Sequence, residues 1–328
     1  MASISELADH AQMPVAPRLV QHTADVVALD GWELDQDNPF GLQGAKPKRI
    51  FICPNPPPHA FLFGGHRYLF KEPPGWRAPQ IWSEVIAYEL SRDLGLPVPP
   101  AFLATGPGNG SPGVLIEFFY SHPGDEKFRY VDAIELLQGR GFGINFKHGS
   151  LKDNIALSRV LGVLNWKDWW CRVVAMDALI GNVDRHSQNW GMLVRSPVEG
   201  RLVEYSMAPA FDNGTSLGYG FPDESLPAKS APHEIAKLVA NGCHHFSWTG
   251  GAEGARHAAL CGDLRTLLRG GIGTSMDDVV NLGDHRIEAI VDWCTRFNFP
   301  VPFSGARAHF VAEQLKARRD AIAAELRK

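Results

Sequence analysis

The feature that most constrains this chain is the stretch Gly181-Asn182-Val183-Asp184-Arg185-His186-Ser187-Gln188-Asn189-Trp190-Gly191. It follows an apolar helix, expected over Lys167–Ile180, with Trp169, Val173, Met176 and Ile180 on one face and Asn165 as N-cap. It precedes an expected strand, Met192–Val194. An Asp and an Asn on a short helix-to-strand loop can point both side chains into one cleft. A hairpin pattern, Met192–Val194 and Leu202–Ser206 around a turn at Ser196–Gly200, then leads to a second carboxylate in Asp212-Asn213-Gly214. Phosphoryl transfer needs such parts: one carboxylate near the accepting hydroxyl, with an amide and a second carboxylate to hold magnesium. Each motif alone arises by chance, whereas the ordered series is far more specific.

The upstream half supplies complementary pieces. Ile50–Cys53, Ala60–Phe63 and Tyr68–Lys71 read as strands, with tight turns at Pro54–Pro58 and Gly64-Gly65. Lys71 closes an apolar run. A lysine there either keeps its head in water or reaches from the sheet to nucleotide phosphates. The next segment favours the second reading. Trp82, Ile86, Leu90 and Leu94 form a helical stripe capped by Gly95 and stopped by Pro97, and Glu84 lies off that stripe. A strand lysine followed by a helix glutamate is the pair that kinase-like folds use to orient lysine toward phosphate; a solvated Glu84 is the bland alternative. Phe102–Thr105 and Gly113–Phe119 read as further strands. Backbone groups of Ile116, Glu117 and Phe119, ahead of a hinge at His122–Asp125, are placed for an adenine edge.

Beyond residue 125 the pattern is mainly helical: Tyr130–Gln138, Leu151–Leu164, Lys167–Ile180, His233–Asn241, Arg256–Leu268, His285–Phe297 and Ala306–Arg327. The expected organisation is an arm over 1–45 with a short strand at Asp25–Leu29, a small β-rich lobe over 46–120 and a helical lobe over 121–328. A hydrophobic content of 45% with 21% charged residues suits an ordinary globular chain, and a net charge of −4 gives no footprint for nucleic acid. No apolar run approaches the roughly 18 residues of a membrane span, and the N-terminus lacks the basic and apolar parts of a secretory signal. Five scattered cysteines without a C-x-x-C pair argue for reduced thiols in a cytoplasmic protein. Cys243-His244-His245 with Cys261 lacks zinc-ligand spacing and reads as ordinary structure.

Tyr68–Lys71, Trp82–Leu90, Leu94–Pro100, Gly113–Phe119, Gly181–Gly191 and Ala208–Leu217 together resemble the HipA-like kinases, a bacterial branch of the protein-kinase-like superfamily that includes phosphoinositide kinases. The resemblance implies an α+β, two-lobed protein-kinase-like fold with ATP and Mg2+ as cofactors and serine/threonine kinase activity on a protein substrate. It implies that Lys71 holds the α/β-phosphates and Glu84 orients it. Asp184 accepts or steers the hydroxyl proton, Asn189 and Asp212 ligate magnesium, and His186 supports the loop or the phosphates. An antitoxin-like or regulatory protein partner is implied, with no direct nucleic-acid or membrane contact. Two alternatives stay open: a lipid or small-molecule acceptor on the same fold, and a pseudokinase that only binds partners.

Overall fold

Near-continuous apolar runs in two central strands build the sheet that carries the lysine. β4 (Arg67–Lys71) and β6 (Pro112–Glu117) pair antiparallel, Leu69 facing Ile116 and Lys71 facing Val114. Directly opposed residues share a face, so Leu69, Lys71, Val114 and Ile116 lie on one side, and Tyr68, Phe70, Leu115 and Glu117 on the other. The computed structural model describes residues 20–35, 48–122, 128–143, 148–195, 203–268 and 273–328. Within them, β1 (Val27–Ala28), β2 (Glu33–Leu34), β3 (Lys48–Ile52) and β5 (Ala101–Thr105) complete a six-stranded sheet ordered β1-β5-β6-β4-β3-β2.

Two expectations change here. The arm expected over 1–45 contributes both sheet edges, β1 parallel to β5 and β2 antiparallel to β3. Gln21 locks it in: its side chain donates to Leu103 O at 2.9 Å and accepts from Leu103 N at 2.8 Å, in a buried environment. Residues 1–19 and 36–45 of that arm lie outside the described residues, as do most of the expected hinge at His122–Asp125 and the turn at Ser196–Gly200. Ala60–Phe63 is not a strand; it belongs to a turn-rich connection between β3 and β4.

Helix α1 (Gln80–Leu94) ends at Gly95, whose φ of 59° is the left-handed conformation glycine adopts freely. The sequence predicts one apolar stripe, yet the helix is buried nearly all round, because the sheet lies on one side and helices of the second lobe on the other. Trp82 packs against Phe297, Phe299 and Phe303, at centroid distances of 6.0, 6.0 and 5.1 Å. α1 is therefore shared between lobes.

The second lobe opens with β7 (Phe128–Asp132), not with the helix expected from Tyr130; aromatic and β-branched residues favour the strand, and only α2 (Ala133–Gly139) is helical. β7 pairs with β9 (Gly191–Arg195), which pairs with β10 (Glu204–Met207), while β8 (Gly149–Ser150) pairs parallel with β11 (Phe246–Ser247). α3 (Leu151–Val160) leads to α4 (Trp166–Ile180), the lobe's central helix. α5 (Leu226–Lys229), α6 (Pro232–Asn241), α7 (His257–Leu267), α8 (Gly273–Val280), α9 (Asp284–Thr295) and α10 (Gly305–Leu326) follow. α7, α8 and α10 all pack on α4. The architecture is thus α+β and two-lobed, with a small β-rich lobe and a mainly helical one. Among the described residues no helix is long and apolar enough to cross a membrane.

Candidate active site

The three motifs meet at the seam between the lobes. The Lys71 ammonium donates to Glu84 Oε1 at 2.8 Å and to Asp212 Oδ1 at 2.9 Å. The Lys71 side chain is 8% exposed. Burial alone would lower its pKa, but the Asp212 and Glu84 carboxylates hold it above its ordinary value. The other Glu84 oxygen accepts from Asn213 N at 3.0 Å, so α1 positions the lysine and the D-x-G loop together. Asp212 has φ of 57°, an uncommon conformation for a residue with a side chain, and its carboxylate is oriented to the lysine.

The D-x4-N loop hangs from the end of α4. Gly181, at φ 67°, caps the helix, and a Cβ there would come within 2.6 Å of the Arg318 guanidinium; only glycine allows both the turn and the approach. Asn182 then donates to Asp177 Oδ1 at 3.0 Å and accepts from the Asp184 and Thr215 donors at 3.1 Å each. Asn189 donates through Nδ2 to Asp184 O at 2.6 Å, which folds the D-x4-N loop on itself. Asp184 itself is 41% exposed, and His186 Nε2 lies 3.8 Å from its Oδ1. The His186 Nδ1 accepts from Gln188 N at 3.2 Å. A carboxylate facing solvent is placed to meet an incoming hydroxyl.

Arg185 joins the two loops. It donates to Asp177 through Nε and Nη2, to Asn189 O at 3.1 Å, to Asn213 Oδ1 at 2.6 Å and to Phe211 O. One buried guanidinium thus ties the asparagine of the first motif to the backbone flanking Asp212. Oxygen donors from Asp212 and Asn189 are the hard ligand chemistry that suits magnesium.

A model of the HipA-like C-terminal domain matches residues 40–257, more than half the chain. The chain belongs to the HipA-like family. The Helicobacter pylori proinflammatory kinase CtkA shares 20% identity with this HipA-like chain at a TM-score of 0.67, over 92% of this chain and 98% of CtkA. Shewanella oneidensis MR-1 HipA, solved with HipB and its operator DNA, shares 16% identity at a TM-score of 0.50, over 89% of this chain and 68% of HipA. These likenesses carry the fold. No curated protein sequence matches significantly.

Other expected residues of the HipA-like site fall unevenly. Ile116 shares the face of Lys71. Phe119 stacks on Phe211, the residue before Asp212, at 5.7 Å and 21°. Glu117 does not join them: its N–H donates to Pro100 O, and its side chain sits on the opposite face, accepting from Tyr68 and His122. Gly64-Gly65 and Pro54–Pro58, the tight turns nearest the lysine strand, lie in the β3–β4 connection, at the end of β4 away from Lys71. Lys48, the start of β3, is what faces Lys71; residues 36–47, which join it to β2, lie outside the described set. Asp177 and Arg185 were not assigned roles from sequence. The available signal was a carboxylate inside the last apolar turn of α4, which at complete burial demands a cation.

Proposed function

We propose that the chain is an Mg-ATP-dependent serine/threonine kinase of the HipA-like type, acting on a protein hydroxyl. The observation that supports this most is the Lys71 ammonium bridging Glu84 of α1 and Asp212 of the D-x-G loop, with Arg185 binding that loop to the one bearing Asp184 and Asn189. A binding module has no need to keep this set assembled.

In this reading Lys71 exchanges its Asp212 partner for phosphate oxygens while Glu84 keeps it aimed. Asp212 and Asn189 Oδ1 hold magnesium, which supplies charge neutralisation at the phosphates. Ile116 and Phe119 flank the base, and Asp184 accepts the hydrogen bond, then the proton, of the acceptor hydroxyl. His186 stands beside Asp184 and steadies it. Acceleration comes from positioning and from charge placed in advance. The Shewanella complex, in which HipA is seen with HipB, supports a regulatory protein partner; it does not call for direct nucleic-acid contact by this chain.

The test is incubation with γ-labelled ATP and magnesium in the presence of a cell lysate, comparing the wild type with Asp212→Asn. Label on serine or threonine of protein bands, absent with the variant, is the expected result. Label in an organic extract or a small metabolite would replace the protein acceptor with another. Equal labelling by both proteins, or none by either, would overturn the assignment.

A further inference from the structure

A second group of chemistry-bearing side chains lies on the reverse face of the sheet. His66 immediately precedes β4, Glu117 ends β6, and His122 follows at the hinge. Antiparallel pairing of Tyr68 with Glu117 brings the first two together, and the chain turning out of β6 returns His122 to them. One ligand atom from each of the three lies within 4.8 Å of the others. This is the face opposite Lys71, so the nucleotide machinery does not use it.

The bonding sets the tautomers. His66 Nε2 lies 2.7 Å from Phe118 O; a carbonyl only accepts, so Nε2 carries the proton and the lone pair is on Nδ1. His122 Nε2 lies 2.8 Å from Glu117 Oε1, which assigns its proton the same way when the carboxylate is ionised. The His66 N–H donation to a carbonyl is the support that metal-binding histidines use to orient their other nitrogen, whereas the His122–Glu117 hydrogen bond is the contact an ion would replace. Tyr68 OH donates to Glu117 Oε2 at 3.3 Å and steadies the carboxylate.

We propose that His66, Glu117 and His122 form a binding site for a transition-metal dication of the zinc class behind the hinge. Two imidazoles and a carboxylate are a donor set zinc accepts with a fourth position open, whereas magnesium prefers oxygen alone. The two rings stack at 4.0 Å and 9°, so a shared ion turns one of them out of the stack. His122, the partly exposed member of the pair, is the ring that turns. The ion then ties the hinge to β4 and stiffens the junction between lobes without touching the face of Lys71.

The probe is cobalt(II), titrated into the untagged full chain, because tetrahedral cobalt absorbs visibly. One equivalent of cobalt with strong d–d bands, displaced by zinc, is expected for the wild type, with a rise in melting temperature on adding zinc. His122→Gln removes the bands, and Asp212→Asn keeps them. Glu117→Gln, which preserves shape but removes the anionic ligand, weakens cobalt by at least the roughly 10–100-fold that loss of a mere supporting partner costs. Absence of stoichiometric cobalt binding in the wild type overturns the proposal. So do bands that survive in His122→Gln or vanish in Asp212→Asn.

Discussion

Arg185 and Asp177 meet side by side in the fully buried floor of the site, through Nε–Oδ2 and Nη2–Oδ1 bonds of 3.0 and 2.7 Å. The pair is bidentate, the geometry that a guanidinium offers a carboxylate and an ammonium does not. Its remaining N–H groups reach Asn189, Phe211 and Asn213, so the ion pair anchors both active loops to α4.

Arg185→Leu strands the Asp177 carboxylate and is expected to cost about 3–5 kcal/mol of unfolding free energy. Arg185→Lys keeps the charge and loses the fork. It is expected to recover part of the stability while phosphotransfer stays depressed, with kcat falling more than the apparent affinity for ATP changes. Urea unfolding and steady-state kinetics on the same two variants separate the effects. A lysine variant with full turnover would show that charge, not loop alignment, is what Arg185 supplies.

Lys71 stands between two carboxylates. Lys71→Met leaves Glu84 and Asp212 without the ammonium that separates them, and Glu84→Gln leaves the lysine one charged partner fewer. A double-mutant cycle on these positions, read by urea unfolding, is expected to give a coupling of about 0.5–3 kcal/mol. ATP affinity should fall in both single variants. Additive effects, with no coupling, would mean the contact contributes nothing to the fold.

How far these pieces were legible in the sequence depends on the range of the forces involved. The Lys71–Glu84 pair could be read because strand and helix signals are local and their order is diagnostic. The D-x4-N loop was visible for the same reason. Within residues 20–35 only a short strand at Asp25–Leu29 is suggested, and β1 falls there; β2 is too short to carry a periodicity, and Gln21 acts through the backbone of Leu103. One buried face of α1 was legible, the stripe whose Trp82 meets Phe297, Phe299 and Phe303; the face of Tyr88, which packs on Phe102 of β5, was not, because a helix buried on two sides shows no second periodicity. Glu117 looked available because strand pairing, and hence its face, is fixed by register. Arg185 was opaque: three of its acceptors are carbonyl or amide oxygens on loops whose path no composition reveals.

Asp184 is the exposed carboxylate of the set, and its side chain is not what holds the loop; its backbone makes those bonds. Asp184→Asn is therefore expected to preserve the fold and nucleotide affinity while lowering turnover by about a hundred- to ten-thousand-fold, the usual worth of a general base. Isothermal titration with a non-hydrolysable ATP analogue and magnesium, beside initial rates, checks both halves. Loss of nucleotide binding in this variant would move Asp184 from the acceptor side to the phosphate side.

Acid should weaken the fold through the histidines behind the catalytic loop. His244 is stacked on Phe246 at 5.2 Å, and burial, reinforced by the Arg185 and Arg318 charges, pushes its pKa from 6.5 down to about 3. His257, bonded to Asn182 O and beside Arg318, is lowered as well, first by burial. Both rings are neutral in the folded chain, while the unfolded chain takes up protons below about pH 6.5. Their contribution is complete above that value and drains away as pH falls below it, by up to about 1.4 kcal/mol per pH unit for each ring. Unfolding free energy measured between about pH 7.5 and 5 should therefore drop with acid. His244→Phe, which keeps the stacking and removes one titration, should flatten that slope whatever it does to absolute stability. Parallel slopes for the two proteins would mean that His244 is not held neutral, and that the protons taken up on unfolding go elsewhere.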